Sequence, residues 1–379
     1  MNILHIVPSY KPAFVYGGPI ISVSRLCESQ AGLGHQVTVY TTTANGKTEL
    51  GVATGRPTPT DGVSVWYFPR ITKDHTHTSP ALWVHLWRTL KQYDAVHIHS
   101  WWNFLVLGSV LVCRLKGARP VLSIRGMLSG YSFNYQNSTA KKVLHFLMGK
   151  PLLKWTFLHA TTQNEWEECQ QVIPGWQGFV APNIVALPNQ KYPKSENALF
   201  TIGVLSRIDP VKNMDTLIEA LHQVSFPFQL LIAGSGEASY VEALKLQSKQ
   251  AGIEGSLQWL GWQAGDEKYR FLAKLDLMVL ISHTENFANV VVESLAVGTP
   301  VLVSQGVGLS NTVMEHHWGW VSAPSQAAVR ETLEAAWQNK AERIRIAQAA
   351  PAQIGQLFDA KRLADQYVKA YTSFTSPLK

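Results

Sequence analysis

The chain is poor in cysteine, with only Cys27, Cys113 and Cys169 among 379 residues. An odd number at wide spacing supports neither a disulfide framework nor a cysteine-ligated zinc, and a reducing cytosol is the expected setting. Long hydrophobic runs are lacking too. The most apolar stretch, Trp101 to Cys113, is interrupted by Asn103, Gly108 and Ser109, and it falls short of the roughly 20 residues that span a bilayer. The opening residues carry no basic region ahead of an apolar core, so they read as a strand and not as a secretion signal. There is no G-x-G-x-x-G dinucleotide loop and no G-x-S-x-G nucleophile elbow, which leaves dinucleotide binding and a serine hydrolase without support.

What is present is the profile of a packed globular protein: 46% hydrophobic residues, 16% charged, with 27 Gly and 19 Pro. Collagen, coiled coil and disorder are excluded on those grounds. The length exceeds what one core organises, so two domains are expected. Charge is uneven. Residues 1–185 hold 16 Lys and Arg against 8 Asp and Glu, whereas the remainder holds 17 against 18. No acidic residue lies between Asp94 and Glu165, while Arg114, Lys116, Arg119, Arg125, Lys141, Lys142, Lys150 and Lys154 fall there among Trp101, Trp102, Phe104, Phe133, Phe146, Trp155 and Phe157. Such a stretch fits an anionic membrane surface, a nucleic acid or an ordinary solvated face.

Short apolar runs alternate with amphipathic segments twice over, the pattern of parallel sheets with crossover helices. In the first half, strands are expected at Asn2–Val7, Gln36–Thr42, Val63–Phe68, Ala95–His99, Pro120–Ile124 and Leu158–Thr161, with a helix at Ile20–Leu33. The Pro-, Asn- and Lys-rich stretch from Val180 to Asn197 breaks the periodicity and marks the crossover. Beyond it come strands at Leu199–Leu205, Gln229–Ala233, Ser256–Leu260, Leu277–Ile281 and Pro300–Val303. Helices are expected at Met214–Val224, Ala238–Ala251, Gln326–Asn339, Ala341–Ala350 and Ala360–Phe374. The expected division is 1–185, 186–355, and a terminal segment 356–379 packing back toward the first domain. In such α/β folds ligands bind at the carboxyl ends of the strands.

The segment from Ser282 to Pro300 follows a strand and opens a helix. Backbone amides near Asn289 and Val290 would suit a phosphate, Glu293 would project from the same helix, and Glu285 lies in the loop before it. Glu285 and Glu293, with seven residues between them and followed by Gly298-Thr-Pro-Val301, resemble the E-x7-E motif of retaining GT-B glycosyltransferases, and the wider text is similar to glycosyltransferase family 4. Gly17-Gly18 with Gly34-His35, Val204-Leu-Ser206-Arg207 with Lys212-Asn213, Ile232-Ala-Gly-Ser-Gly-Glu237 and Leu260-Gly-Trp262 agree in order, and Arg125-Gly-Met-Leu128 resembles a motif of a bacterial polysaccharide-related branch.

The resemblance implies an α/β protein of GT-B architecture, two Rossmann-like doubly wound domains across a cleft. It implies catalytic roles for Glu285, Arg207 and Lys212, the two cations neutralising a diphosphate leaving group. Nucleotide-sugar contacts would come from Gly17, Gly18, Arg125, Ser206, Gly234, Trp262, Phe287, Ala288, Asn289, Val290 and Glu293, with Glu293 on the ribose, and acceptor contacts from His99, Trp101 and Arg125. No metal or other cofactor is expected: there is no D-x-D, and His97-Ile-His99, an H-x-H at a strand end, reads as structural or substrate-contacting. Departures from the family pattern are Arg125-Gly126 where many relatives carry His-Gly, Ala288 in place of glycine, and Pro182-Asn183-Ile184 without the usual following glycine. The expected activity is transfer of a hexose, from a UDP more than a GDP donor, to a glycan or lipid-linked acceptor in cell-surface polysaccharide synthesis. The expected place is the cytoplasm, with peripheral contact on the inner membrane face and no nucleic-acid partner. The loops Lys47–Pro59 and Ser129–Thr139 are candidates for acceptor selection. The alternatives are a catalytically silent GT-B protein on an anionic membrane or polyanion, and a phosphorylase or DNA-modifying glucosyltransferase of similar architecture.

Overall fold

The computed structural model describes residues 1–128, 149–194 and 197–374. The Ser129–Thr139 loop, Phe133, Lys141, Lys142 and Phe146 lie outside the described residues. The chain divides into two compact units, Met1–Val185 with Phe358–Lys379, and Ala186–Leu357.

The first unit is built on β1 (Asn2–Ile6), β2 (Gln36–Thr42), a small hairpin of β3 (Ala44–Asn45) and β4 (Thr48–Glu49), then β5 (Pro57–Thr60), β6 (Val63–Phe68), β7 (Ala95–His99), β8 (Val121–Ser123), β9 (Phe157–Ala160) and β10 (Gly178–Val180). Apart from the hairpin these form one sheet in the order β10-β9-β8-β7-β1-β2-β6-β5. Every pairing in it is parallel except β5 on β6. Strand β5 was not expected, because its sequence, Pro-Thr-Pro-Thr, offers few ladder donors. It survives as the antiparallel edge, the one place where missing N–H groups are tolerated.

Strand β7 shows how the faces are assigned. Side chains alternate across a strand, so Val96 and Ile98 join the core with Leu82 and Leu86 of the helix Pro80–Thr89 and Leu105 and Val110 of the helix Phe104–Leu115. His97 and His99 are turned to the other face, where the helices Gly18–Gly32 and Ala360–Phe374 pack. The last helix buries Leu363, Ala364, Tyr367 and Tyr371 at helical spacing.

The second unit has one parallel sheet of β11 (Phe200–Leu205), β12 (Phe228–Ala233), β13 (Leu257–Gly261), β14 (Leu277–Leu280), β15 (Val301–Ser304) and β16 (Gly319–Ser322), in the order β13-β12-β11-β14-β15-β16. Buried on both faces, the inner strands read as continuous apolar runs such as Leu277-Met-Val-Leu280. The helix expected to stop at Ala350 instead runs from Lys340 to Leu357 through Pro351. Proline removes the N–H that would bond Ala347 four residues back. That carbonyl packs against Gly298, where an added Cβ would stand 2.7 Å from the Ala347 oxygen. Gly298 therefore has no side chain because a helix backbone occupies the space.

No helix among the described residues is long and apolar enough to cross a membrane.

Candidate active site

In each sheet the strand order reverses beside one central strand, between β11 and β14 in the second unit and between β1 and β7 in the first. The carboxyl ends of strands at such a reversal leave a crevice for ligands.

In the second unit, the chain leaves β11 as Ser206-Arg207 and enters a short turn, Pro210–Lys212, capped by the Asp209 side chain accepting from the Val211 amide at 3.0 Å. Asn213 then takes a left-handed conformation, φ 57°, before the helix Met214–His222. The turn aims Lys212 at Glu285, and the two form an ion pair. Glu285 is held by its backbone: its N–H donates to the Gly306 carbonyl at 2.9 Å, and its carbonyl accepts from Gly308 at 2.7 Å. Gly234 comes so close to β11 that an added Cβ would stand 1.9 Å from the Ser206 carbonyl oxygen. Arg207 is exposed, and its neighbour Ser206 donates its hydroxyl to the Arg207 carbonyl at 3.0 Å.

The helix Asn289–Ala296 begins at Ala288, whose φ of 68° is left-handed. This is the position where the family pattern carries glycine, and an L side chain there costs roughly 1–2 kcal/mol. As N-cap, alanine offers no side-chain acceptor to the first amides. Phe287 and Ala288 are buried, Asn289 and Val290 half-buried. Glu293 is also buried and forms an ion pair with Lys268 at 2.7 Å. Lys268, on the helix Gly265–Ala273, was not among the expected site residues, because no sequence spacing links it to Glu293. Trp262 is 55% exposed at the end of β13, an unusual position for a large ring and a free face for stacking.

In the first unit, Gly17 has φ 69° and Gly18 opens the helix Gly18–Gly32; an added Cβ would meet nothing within 4 Å at either. Arg125 follows β8 with φ 55°. Its Nη1 donates to Ser22 Oγ at 3.1 Å and Asn183 Oδ1 at 3.4 Å, and its Nη2 to His99 Nδ1 at 3.3 Å. His99 and Trp101, expected on the acceptor, are instead buried at 0% and 1% exposure. His99 lies inside the sheet, and Trp101 fills the core around the helix Phe104–Leu115. Among the three acceptor candidates only Arg125 keeps partial exposure. Glu165 was not anticipated. It is buried and accepts from the Gly126 amide at 2.8 Å and from the Thr161 amide and hydroxyl at 2.7 and 2.9 Å. Burial pushes its carboxyl above the ordinary range, against the pull of those hydrogen bonds.

Family models agree with this geometry on both units. Residues 17–190 match the glycosyl transferase 4-like domain, and residues 189–353 match glycosyl transferases group 1. The chain belongs to the family 4-like glycosyltransferases of GT-B fold. This glycosyltransferase is 24% identical over 352 residues to the uncharacterized glycosyltransferase MJ1607 of Methanocaldococcus jannaschii, covering 85% of each chain. It is 30% identical over 143 residues to the lipopolysaccharide core biosynthesis glycosyltransferase LpsE of Rhizobium meliloti, covering 38% of this chain and 40% of that one. Its fold matches that of HepE from Anabaena, solved in complex with UDP and glucose, with a TM-score of 0.76 at 20% identity over 99% of this chain and 100% of the other. The glycosyltransferase uses a nucleotide-sugar donor.

Proposed function

We propose that the enzyme is a retaining glycosyltransferase that moves a hexose from a UDP-sugar to a hydroxyl of a glycan or lipid-linked acceptor during cell-surface polysaccharide synthesis. The observation that carries this reading is the Lys212–Glu285 ion pair at the strand-order reversal, with Arg207 exposed just past the end of β11. In the free protein the two charges satisfy each other. A diphosphate competes for the Lys212 ammonium and the Arg207 guanidinium, and Glu285 is released to accept hydroxyl hydrogens of the donor sugar. As the anomeric carbon–oxygen bond to the diphosphate breaks, the two cations stabilise the charge that develops on the leaving oxygens. The acceptor oxygen bonds to the anomeric carbon on the same face, and its proton passes to the departing diphosphate. The balance needs no metal, because protein cations carry the positive charge, so turnover is expected to persist in EDTA. Glu293 takes the ribose hydroxyls and Trp262 the base.

The UDP reading is supported by the fold match to a protein that holds UDP and glucose, and the acceptor class by the partial match to a lipopolysaccharide core enzyme. Contact with an anionic membrane is supported by the outer faces of two first-unit helices. There Val84, Trp87, Leu111 and Leu115 are exposed, and the Lys116 ammonium sits 4.4 Å from the Trp87 ring centre. Basic and aromatic side chains together suit a headgroup layer.

The test is a screen of UDP, GDP, ADP and their sugar conjugates by thermal shift and calorimetry, since a ligand that binds only the folded state raises its melting temperature. Selective stabilisation by uridine nucleotides, lost in Glu293→Ala and Arg207→Ala, is expected. Stabilisation by GDP or ADP alone overturns the UDP assignment, and no response to any nucleotide overturns the donor site.

A further inference from the structure

Behind Arg125 lies a buried group of four histidines, and its hydrogen bonds have one consistent direction. His159 Nε2 lies 2.9 Å from the Ala181 carbonyl, which can only accept, so that nitrogen carries the proton. Its Nδ1 therefore accepts from the Ser123 hydroxyl at 2.6 Å. Ser123 in turn accepts from His97 Nε2 at 2.6 Å, and His97 Nδ1 accepts from the Tyr371 hydroxyl at 2.7 Å. Tyr371 accepts from the Gln30 amide at 3.3 Å, whose oxygen accepts from His5 Nε2 at 2.8 Å. His5 Nδ1 accepts from His99 Nε2 at 2.9 Å, and His99 Nδ1 accepts from Arg125, which can only donate. Both ends, a guanidinium and a carbonyl, demand the same direction, and every histidine in between is neutral.

The ring nitrogens of His5, His97 and His99 lie within 4.8 Å of one another, close enough to invite a metal. Each is already spent on a neighbour in the relay, which accounts for the cluster without an ion. Burial also pushes the histidines toward the neutral form, His5 to about 4 and His159 to about 3.

The relay ends on a cation, Arg125, that has no ion-pair partner among the described residues. The nearby carboxylate, Glu165, spends its oxygens on Gly126 and Thr161. Residues 129–148, which follow in sequence, contain no Asp or Glu. The Arg125 Nε–H is buried without a hydrogen-bond partner among the described residues. Its backbone is left-handed although it is not glycine, a strain that persists where surrounding structure holds it, as at ligand clamps. A cation that is held by its neutral neighbours, strained and unpaired is incomplete without an anion.

We propose that Arg125 recognises an anionic oxygen group, phosphate or carboxylate, on a substrate of this enzyme, and that the relay from His99 to His159 positions its guanidinium. The polarised hydrogen bonds strengthen one another in one direction, so the relay fixes the fork without neutralising it. The proposal rests on the glycosyltransferase reading only for the identity of the substrate: the anion belongs either to the donor diphosphate or to an acidic acceptor.

Calorimetry on the full chain separates these sources. If the donor supplies the anion, Arg125→Gln weakens UDP roughly tenfold to a hundredfold, the range of a lost charged hydrogen bond, and leaves uridine unchanged. If the acceptor supplies it, UDP binds normally, and with UDP saturating the wild type prefers glucuronate or glucose 6-phosphate over glucose in a way that Arg125→Gln abolishes. Unchanged affinity for every probe in folded Arg125→Gln overturns the proposal. The positioning role is read with Ser123→Ala, which breaks the relay far from the fork, and Ser123→Thr, which restores the hydroxyl. Anion affinity is expected to fall in the first and recover in the second, with uridine binding equal in both. Equal anion affinity in both overturns the relay. Should Arg125→Gln not fold, Arg125→Lys keeps the charge and loses the fork, and an unchanged anion affinity there overturns the proposal as well. Loss of turnover in Lys212→Ala bears on the donor site alone, so the two readings fail separately.

Discussion

The two units put their polar chemistry at the same topological place and fill it with opposite electrostatics. In the second unit the groups stand beyond the strand ends, on turns and helices: Lys212 with Glu285 and Lys268 with Glu293 in ion pairs, and Arg207 in solvent. In the first unit the groups stand inside the strands, His5 in β1, His97 and His99 in β7, Ser123 in β8 and His159 in β9, all fully buried. Position relative to the strand end decides the chemistry. Beyond it, a charge can pair with an opposite one on a neighbouring turn or helix, and a ligand can exchange for that partner. Within the sheet an ionised side chain would lose its hydration, so only neutral donors and acceptors remain, linked until they reach Arg125 at the edge.

Acid should break this contrast most severely. Unfolded histidine takes up a proton near pH 6.5, whereas His5 does so only near 4 and His97 and His99 lie well below their usual value. Between those values the unfolded state binds more protons, so stability is complete above pH 6.5 and falls as the pH drops toward 4. Each histidine contributes about 1.4 kcal/mol per pH unit over its own window. Urea titrations at stepped pH should show uptake of more than one proton on unfolding, and a pH-independent midpoint between 6.5 and 4 would contradict neutral histidines.

Next in size are the exchangeable charges. Lys212→Ala and Glu285→Ala should each lower kcat on the order of a hundredfold to a thousandfold with the melting temperature nearly kept; near-normal turnover in both would remove these residues from the mechanism. Tyr371→Phe cuts the relay between His97 and Gln30, and it should lower stability by about 1–3 kcal/mol, read as a drop in the denaturant midpoint. A midpoint equal to the wild type would mean the phenol hydroxyl is not holding the two together. Smallest is Ala288→Gly. Relieving a left-handed alanine gains roughly 1 kcal/mol after the extra freedom of unfolded glycine is discounted, so the melting temperature should rise by a few degrees at most, and a fall would show that the methyl packs usefully.

Much of the framework could be read in advance because parallel strands buried on both faces are written as apolar runs. Gln36–Thr42 and Val63–Phe68 begin and end where expected. The strands Gly178–Val180 and Gly319–Ser322 escaped notice, being short and opening on glycine. At both glycines a Cβ would strike the neighbouring strand, 1.9 Å from the Leu158 oxygen and 1.8 Å from the Val301 oxygen. Of the candidate site, Glu285, Glu293, Arg207 and Lys212 could be picked out as candidates because a motif is a spacing along one stretch of chain. Lys268 and Glu165 act from other helices and leave no such spacing. The relay was half written: His97 and His99, two residues apart on a strand, must share a face. What the sequence could not show is the register that sets His5 beside His97, and Ser123 between His99 and His159.

The last helix also sets a timetable for synthesis. Tyr371 completes the relay, and Phe358–Lys379 belongs to the first unit. The ribosome therefore finishes every residue of the second unit before it has made the final helix of the first. Domains usually fold in the order they emerge, but here the histidine face of the first unit stays uncovered until the helix Ala360–Phe374 has been made.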